Sequence, residues 1–198
     1  MFRVVGINGS PRKSGNTAFL ISEFLHIVAE HGFETQMIHL AATRVAPCDG
    51  CNACKTTKRC HIRDDFDEVY AKLLQADGIV IGSPVYIGAP TGNIVSLMGR
   101  TVYLARQTGN PFDNRVGTAV VSARRGGANF VLAQLNLYLS LMGMIVPNSS
   151  VYWHIAITGG GKASSPHISS DEEGIATVRN LADKMTWLLQ KIGQHSAD

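Results

Sequence analysis

The run RVVGINGSPRKSGNT, residues 3–17, reads as a strand, a loop and a helix start in immediate succession. Arg3–Asn8 is a short buried strand, and Gly9-Ser10-Pro11 ends it. From Thr17 to His31 the apolar residues Phe19, Leu20, Phe24, Leu25 and Val28 recur at helical spacing, with Gly32 as the stop. Outward from this unit the same alternation repeats. Strands are predicted at Glu34–Leu40, Gly78–Pro84, Val116–Ser122 and Ile145–Tyr152. Helices are predicted at Phe66–Gln75, Gly92–Gln107, Phe130–Met142 and Glu173–Ile192. Five strands alternating with helices specify an α/β fold, a doubly wound parallel sheet covered on both faces. Right-handed crossovers leave few topologies. No internal repeat is visible, and the one low-complexity patch, residues 158–174, reads as a flexible loop before the last helix.

The bulk numbers set limits. A chain of 198 residues forms one sizeable core, so a single domain over residues 1–198 is expected. It is 45% hydrophobic and 17% charged, as a water-soluble globular chain is. A net charge of +3 gives no argument for nucleic acid or a membrane surface. Met1–Gly9 lacks the apolar stretch of a signal peptide, and no apolar run approaches the roughly 20 residues of a membrane span. A cytoplasmic setting follows, where thiols stay reduced.

The loop Gly9–Thr17 lies where ligands of doubly wound folds sit, beyond the carboxyl end of a strand and at a helix N-terminus. Such a terminus offers free N–H groups and a positive dipole end to a phosphate. Ser10, Ser14, Asn16 and Thr17 add short donors and Arg12 a charged one. A Walker loop has four residues between its glycines and a Lys after the second; here five separate Gly9 from Gly15 and Asn16 follows, which disfavours ATP and GTP. The dinucleotide pattern G-x-G-x-x-G is also missing, and the second strand ends in Leu40-Ala41 without a ribose-binding acid. FMN, a mononucleotide with a terminal phosphate, fits what remains. The competing reading is a helix start capped in the ordinary way by Ser and Asn. Two further loops follow strands. In Gly82–Asn93 a rigid turn either presents Pro84, Val85, Tyr86 and Ile87 to a planar ring, the expected reading, or is an ordinary strand-to-helix turn with Tyr86 on the surface. In Ser122–Gly127 the glycines permit close backbone approach, and Arg124 or Arg125 either favours a reduced flavin or is a solvated surface charge.

Taken in order, GINGSPRKSGNT, ADGIVIGSPVYIGAPTG and SARRGG resemble the flavodoxin-like NADPH-dependent FMN reductase superfamily across nearly the whole chain. The resemblance implies FMN-phosphate roles for Ser10, Arg12, Asn16 and Thr17. It implies ring or ribityl roles for Pro84, Val85, Tyr86, Ile87 and Gly88, and for Ser122, Arg124, Gly126 and Gly127 in the third loop. One departure stands out: relatives usually carry Lys-x-x-x-Asp-Arg in the helix after the second loop, where this chain has Gly99 before Arg100.

All four cysteines of the chain, Cys48, Cys51, Cys54 and Cys60, fall in one short loop with the spacing C-x2-C-x2-C-x5-C. A zinc site usually uses two separated pairs, although four cysteines also suit zinc. Three at successive x2 spacings with a fourth closing follow the logic of a [4Fe–4S] cubane. A C-x2-C redox disulfide would leave two thiols unused. Lys55, Lys58, Arg59 and Arg63 crowd the loop and would offset the charge of a thiolate-ligated cluster, or serve solubility alone. Together with the FMN loops, this motif and the Asp64-Asp65 that follows it resemble the iron–sulfur flavoprotein family. That resemblance implies a [4Fe–4S] cluster on Cys48, Cys51, Cys54 and Cys60.

The expected activity is that of an FMN-dependent oxidoreductase whose cluster passes single electrons to FMN and on to a small-molecule acceptor such as a quinone or oxygen species. The donor is a ferredoxin-like protein or NAD(P)H. Rival readings are an NAD(P)H-dependent FMN or quinone reductase without a cluster, and a non-enzymatic FMN carrier with a structural metal. No catalytic acid or base is nominated; His61 and His154 read as ordinary structural or surface residues. In the flavodoxin-like strand order 2-1-3-4-5, with the cysteine loop inserted after strand two, the cluster lies at the sheet edge and the ring across strand one. A homodimer or homotetramer that brings one subunit's cluster toward another's ring is expected.

Overall fold

The computed structural model describes residues 1–157 and 168–195. Strands β1 (Arg3–Asn8), β2 (Glu34–His39), β3 (Gly78–Pro84), β4 (Val116–Ala123) and β5 (Ile155–Ile157) form one sheet in the order β2-β1-β3-β4-β5. Every neighbouring pair is parallel, with Val5 opposite Ile79 and Ile79 opposite Gly117 across the middle. The helices are α1 (Asn16–Glu30), α2 (Cys54–Thr57), α3 (Phe66–Leu74), α4 (Gly92–Gln107), α5 (Ala128–Leu141) and α6 (Glu172–His195). This is the doubly wound order expected of the sequence.

The sheet is buried on both faces, which explains its unbroken apolar strands. On one face Ile7, Ile81, Leu97 and Leu135 join a core completed by α3, α4 and α5. On the other, Val4 and Val80 pack with Leu20 and Phe24 of α1 and Leu181 and Met185 of α6. All eight residues of β4 are buried, while in the edge strand β2 only Ile38 is buried. Among the described residues no helix is long and apolar enough to cross a membrane.

The predicted fifth strand, Ile145–Tyr152, is corrected. Ile145 makes only an isolated bridge to Val116, and β5 itself is Ile155–Ile157, opposite Val121–Ala123. The backbone leaves the ladder at Pro147, which has no N–H to donate. Beyond it, Ser149 Oγ and the Ser150 N–H bond Asn180 Oδ1 of α6 at 3.1 and 2.9 Å, and so hold the segment against the helix. The edge partner of β4 is thus split into two contacts with a loop between. Of the loop predicted at 158–174, residues 158–167 lie outside the described residues, Ile168–Ser170 form a 3-10 turn, and α6 begins at Glu172.

Candidate functional site

The loops after β1, β3 and β4 meet on the carboxyl rim of the sheet. Buried Asn8 organises the first: its Oδ1 accepts the Ser10 N–H at 3.1 Å, and its amide lies 3.0 Å from His39 Nδ1 on β2. The Gly9 N–H donates to Gly82 O at 2.8 Å, and Thr91 Oγ1 donates to Gly9 O at 2.7 Å. A Cβ at position 9 would lie 2.2 Å from Ile94 Cγ1 and 2.9 Å from Gly82 O, so only glycine passes here. Ser10 Oγ accepts the Arg12 N–H at 3.1 Å, while the Arg12 and Ser14 side chains face solvent.

Helix α1 starts without a side-chain cap. Its N-cap, Gly15, is extended and makes no such bond, and Asn16 Oδ1 turns away to accept the Ile168 N–H at 3.3 Å. Among the described residues no Ser or Asn side chain caps this helix, and its first N–H groups suit an anionic acceptor. Thr17 is buried, with Oγ1 2.8 Å from Ser122 Oγ, which links the first loop to the third.

The second loop leaves β3 beside β4, with the Val85 N–H on Ser122 O at 3.0 Å. Tyr86 and Ala89 then exchange backbone bonds of 2.9 and 3.0 Å around a two-residue turn. Both central residues, Ile87 and Gly88, have positive φ, 50° and 78°, the pattern of a type I′ turn. Ile87 is fully exposed and Tyr86 half exposed, so the turn presents apolar side chains to solvent. Gly127, at φ 86°, backs onto this turn: a Cβ there would lie 3.0 Å from Gly88 Cα and 3.1 Å from Val85 Cγ1. Arg124, Arg125 and Gly126 are exposed at the rim. The structure thus gathers the residues expected of the three loops. It adds Asn8, Ser83 and Thr91, buried polar groups that brace them; the Thr91 N–H bonds Ser83 Oγ at 3.2 Å.

The cysteine loop leaves the adjacent edge strand. All four thiols are free; Cys48 and Cys51 are exposed, while Cys54 and Cys60 pack half-buried against the larger core. Positive φ at Gly50, Asn52 and Lys58 curls the loop, and Tyr103 on α4 donates to Asn52 Oδ1. Asp49 Oδ1 accepts the Cys51 N–H at 3.1 Å, and Oδ2 meets His61 Nε2 at 2.6 Å; these two partners hold the Asp49 carboxyl below its ordinary range. Burial above all pushes the Cys54 thiol up, and the neighbouring Cys51, Cys60 and Cys48 add to it. Among the described residues, the one trio of possible ligand atoms within 4.8 Å of one another is Asp49, Cys51 and His61. No three of the four cysteine sulfurs lie within 4.8 Å of one another, and four thiols in one loop suit either a zinc ion or an iron–sulfur cluster.

The expected cations face outward. Lys55, Lys58, Arg59 and Arg63 are all exposed; Lys58 Nζ bonds Lys55 O at 2.9 Å, and Arg63 sits 3.9 Å from Asp67. The cation that reaches a cysteine lies outside the loop and its local pattern: Arg100 on α4, only 2% exposed. Nη2 donates to Cys60 Sγ at 3.1 Å and Ile62 O at 3.3 Å, and Nη1 to Asp64 Oδ2 at 2.6 Å and Ala46 O at 3.2 Å. The guanidinium lies 4.1 Å above the Phe66 ring. Burial pushes the Asp64 carboxyl up, but Arg100 and the N–H groups of Ala46 and Phe66 outweigh it and hold it low. A signal was present: Arg100 falls three residues after Leu97 and four before Leu104, on the buried stripe of α4, where a charge requires a partner. Gly99 faces open space, so the missing acid leaves this network untouched.

His154 is structural, as the sequence implied. It is buried, accepts the Ser149 N–H on Nε2 at 2.9 Å, and lies with Nδ1 3.2 Å from Ala119 O.

The chain matches the family model for NADPH-dependent FMN reductase over residues 2–158. It is 39% identical over 193 residues to an iron–sulfur flavoprotein of Methanocaldococcus jannaschii, covering 96% of this chain and 98% of that one. An iron–sulfur flavoprotein of Methanosarcina thermophila is 34% identical over 192 residues, with 96% of each chain covered. Among solved structures, RosB superposes with a TM-score of 0.75 at 16% identity over 98% of this chain and 81% of its own. An apo NADH:FMN oxidoreductase gives 0.66 at 16% identity, over 94% and 89%. These last two likenesses establish the fold. On the strength of the family match and the close relatives, the chain belongs to the iron–sulfur flavoproteins, within the NADPH-dependent FMN reductase family, and is an FMN-dependent oxidoreductase.

Proposed function

We propose that the chain is an electron-transfer flavoprotein with two centres on one rim: FMN at the loops after β1, β3 and β4, and a [4Fe–4S] cluster on Cys48, Cys51, Cys54 and Cys60. The observation that carries this reading is the gathering of four free thiols at the spacing C-x2-C-x2-C-x5-C in one loop of a chain that belongs to the FMN reductase family. The residues fit FMN: the free N–H groups of α1 suit its phosphate, and the exposed Tyr86–Ile87 turn suits its ring. They fit a cluster: four soft donors share one loop, and the buried guanidinium of Arg100 faces one of them. When bound, the cluster exchanges single electrons and FMN holds up to two. The chain's own residues bind and orient. Ser10, Arg12, Ser14, Asn16 and Thr17 lie around the phosphate position, and Pro84–Gly88 and Ser122–Gly127 frame the ring.

The donor is a ferredoxin-like protein or NAD(P)H, and the acceptor a small molecule such as a quinone or oxygen species. The setting is cytoplasmic. The cysteine loop follows edge strand β2, whereas the ring loops follow β3 and β4, across β1. A homodimer or homotetramer that brings a second subunit's loop to the ring is therefore part of the proposal. Anaerobically purified protein should carry about four iron and four acid-labile sulfide per chain, with about one FMN. Stoichiometric zinc without iron, together with rapid steady-state NADPH oxidation, would instead establish the reductase without a cluster.

A further inference from the structure

We propose that Arg100 is the positioning residue of the cysteine loop: it clasps both ends of the loop and, through its bond to Cys60, raises the reduction potential of the group the four thiolates hold. This rests on the cluster reading above. The clasp is visible in the bonding. Ala46 O precedes the first cysteine and Ile62 O follows the last, and one guanidinium donates to both, so the ends of segment 46–62 are tied to a single point on α4. Stacking on Phe66 and the ion pair with Asp64 fix the plane of the fork. Its fifth N–H, on Nε, is buried without a partner among the described residues, so the group sits here at an electrostatic cost rather than for its own solvation.

The charge is also oriented. Asp64 neutralises the guanidinium on the Nη1 side, while Nη2 faces Cys60 Sγ. In this half-buried setting a cation against one thiolate favours whichever state of the group carries one more electron. Donation to a ligand sulfur acts in the same direction. The two members of the ion pair must therefore pull the potential in opposite directions. Removing the cation lowers it; removing the anion that screens the cation raises it. A residue that only holds the loop in shape gives no such opposition, because loosening the loop from either side is the same perturbation.

The experiment is an anaerobic redox titration of the holoprotein followed by visible absorption and EPR, beside iron and FMN content, for wild type, Arg100→Met, Arg100→Lys and Asp64→Asn. Arg100→Met is expected to shift the oxidised-to-reduced ratio at fixed ambient potential at least tenfold toward oxidised, which is ~59 mV for a one-electron couple. Asp64→Asn is expected to shift it toward reduced, and Arg100→Lys, which keeps the charge without the fork, to fall between wild type and Arg100→Met. If Arg100→Met retains FMN but loses iron, the clasp is supported and the other two variants decide the potential. Shifts of the same sign for Arg100→Met and Asp64→Asn, or none in any variant, overturn the proposal. Iron-free wild type instead overturns the cluster reading on which it rests, so the two failures are told apart.

Discussion

Ile87 is a β-branched residue held at φ 50° with its side chain fully in solvent. Both features are unfavourable in the protein alone. The left-handed region costs an L-residue about 1–2 kcal/mol, and a branched Cβ belongs at the upper end of that range. The exposed side chain recovers nothing by burial. Asn tolerates the same conformation, so Ile87→Asn is expected to stabilise the flavin-free protein by about 1 kcal/mol, which for a chain of this size raises Tm by roughly 2–4 °C. Strain of this kind persists where a ligand uses it. If the turn covers the flavin ring, burying half of the isoleucine contributes up to about 1.4 kcal/mol, and its loss weakens FMN binding about tenfold. Thermal unfolding of the flavin-free protein and quenching of FMN fluorescence on titration measure the two quantities. The reasoning predicts that they move in opposite directions, stability up and affinity down. A variant that melts lower, or one that binds FMN as wild type does, would refute it.

Two other outcomes follow from the geometry. Gly9→Ala forces a methyl against Ile94 and Gly82 O, an overpacking of about 1–3 kcal/mol; the urea midpoint should fall accordingly, and an unchanged midpoint would show that the first loop is free to move. Burial pushes His154 from 6.5 down to about 4, so between those pH values the unfolded chain binds a proton that the folded chain refuses. Its contribution is complete above pH 6.5 and falls as pH drops, by about 1.4 kcal/mol per pH unit and roughly 3 kcal/mol in all. His154→Gln should flatten that acid limb of the stability curve, and a slope equal to wild type would remove His154 as its cause.

The elements legible in the sequence are those whose physics is local. β1, β3 and β4 are buried on both faces, so each must be a continuous apolar run, and the loops that end them must carry Gly, Pro and Ser. The four cysteines announce themselves because buried structural cysteines do not cluster at x2 spacings. The place of β5 is not legible, because Ile145, Val146, Val151 and Tyr152 form an apolar pattern that a strand would share. The choice was made by a missing N–H at Pro147 and by the reach of Asn180 from a helix about thirty positions away. The strain at Ile87 is not visible in the sequence, since φ is a property of the closed turn and not of the residue. Arg100 is the instructive case. Its partners lie 36 to 54 residues upstream, beyond any local pattern, yet its place on the apolar stripe of α4 already required them. A lone charge at a buried helical position is a demand for a counter-charge and acceptors elsewhere in the chain. Here the one loop able to supply both an acid and a soft anion is the loop of cysteines. The pairing of α4 with the cysteine loop follows from that demand, and with it the direction in which each partner must move the potential of whatever the thiolates hold.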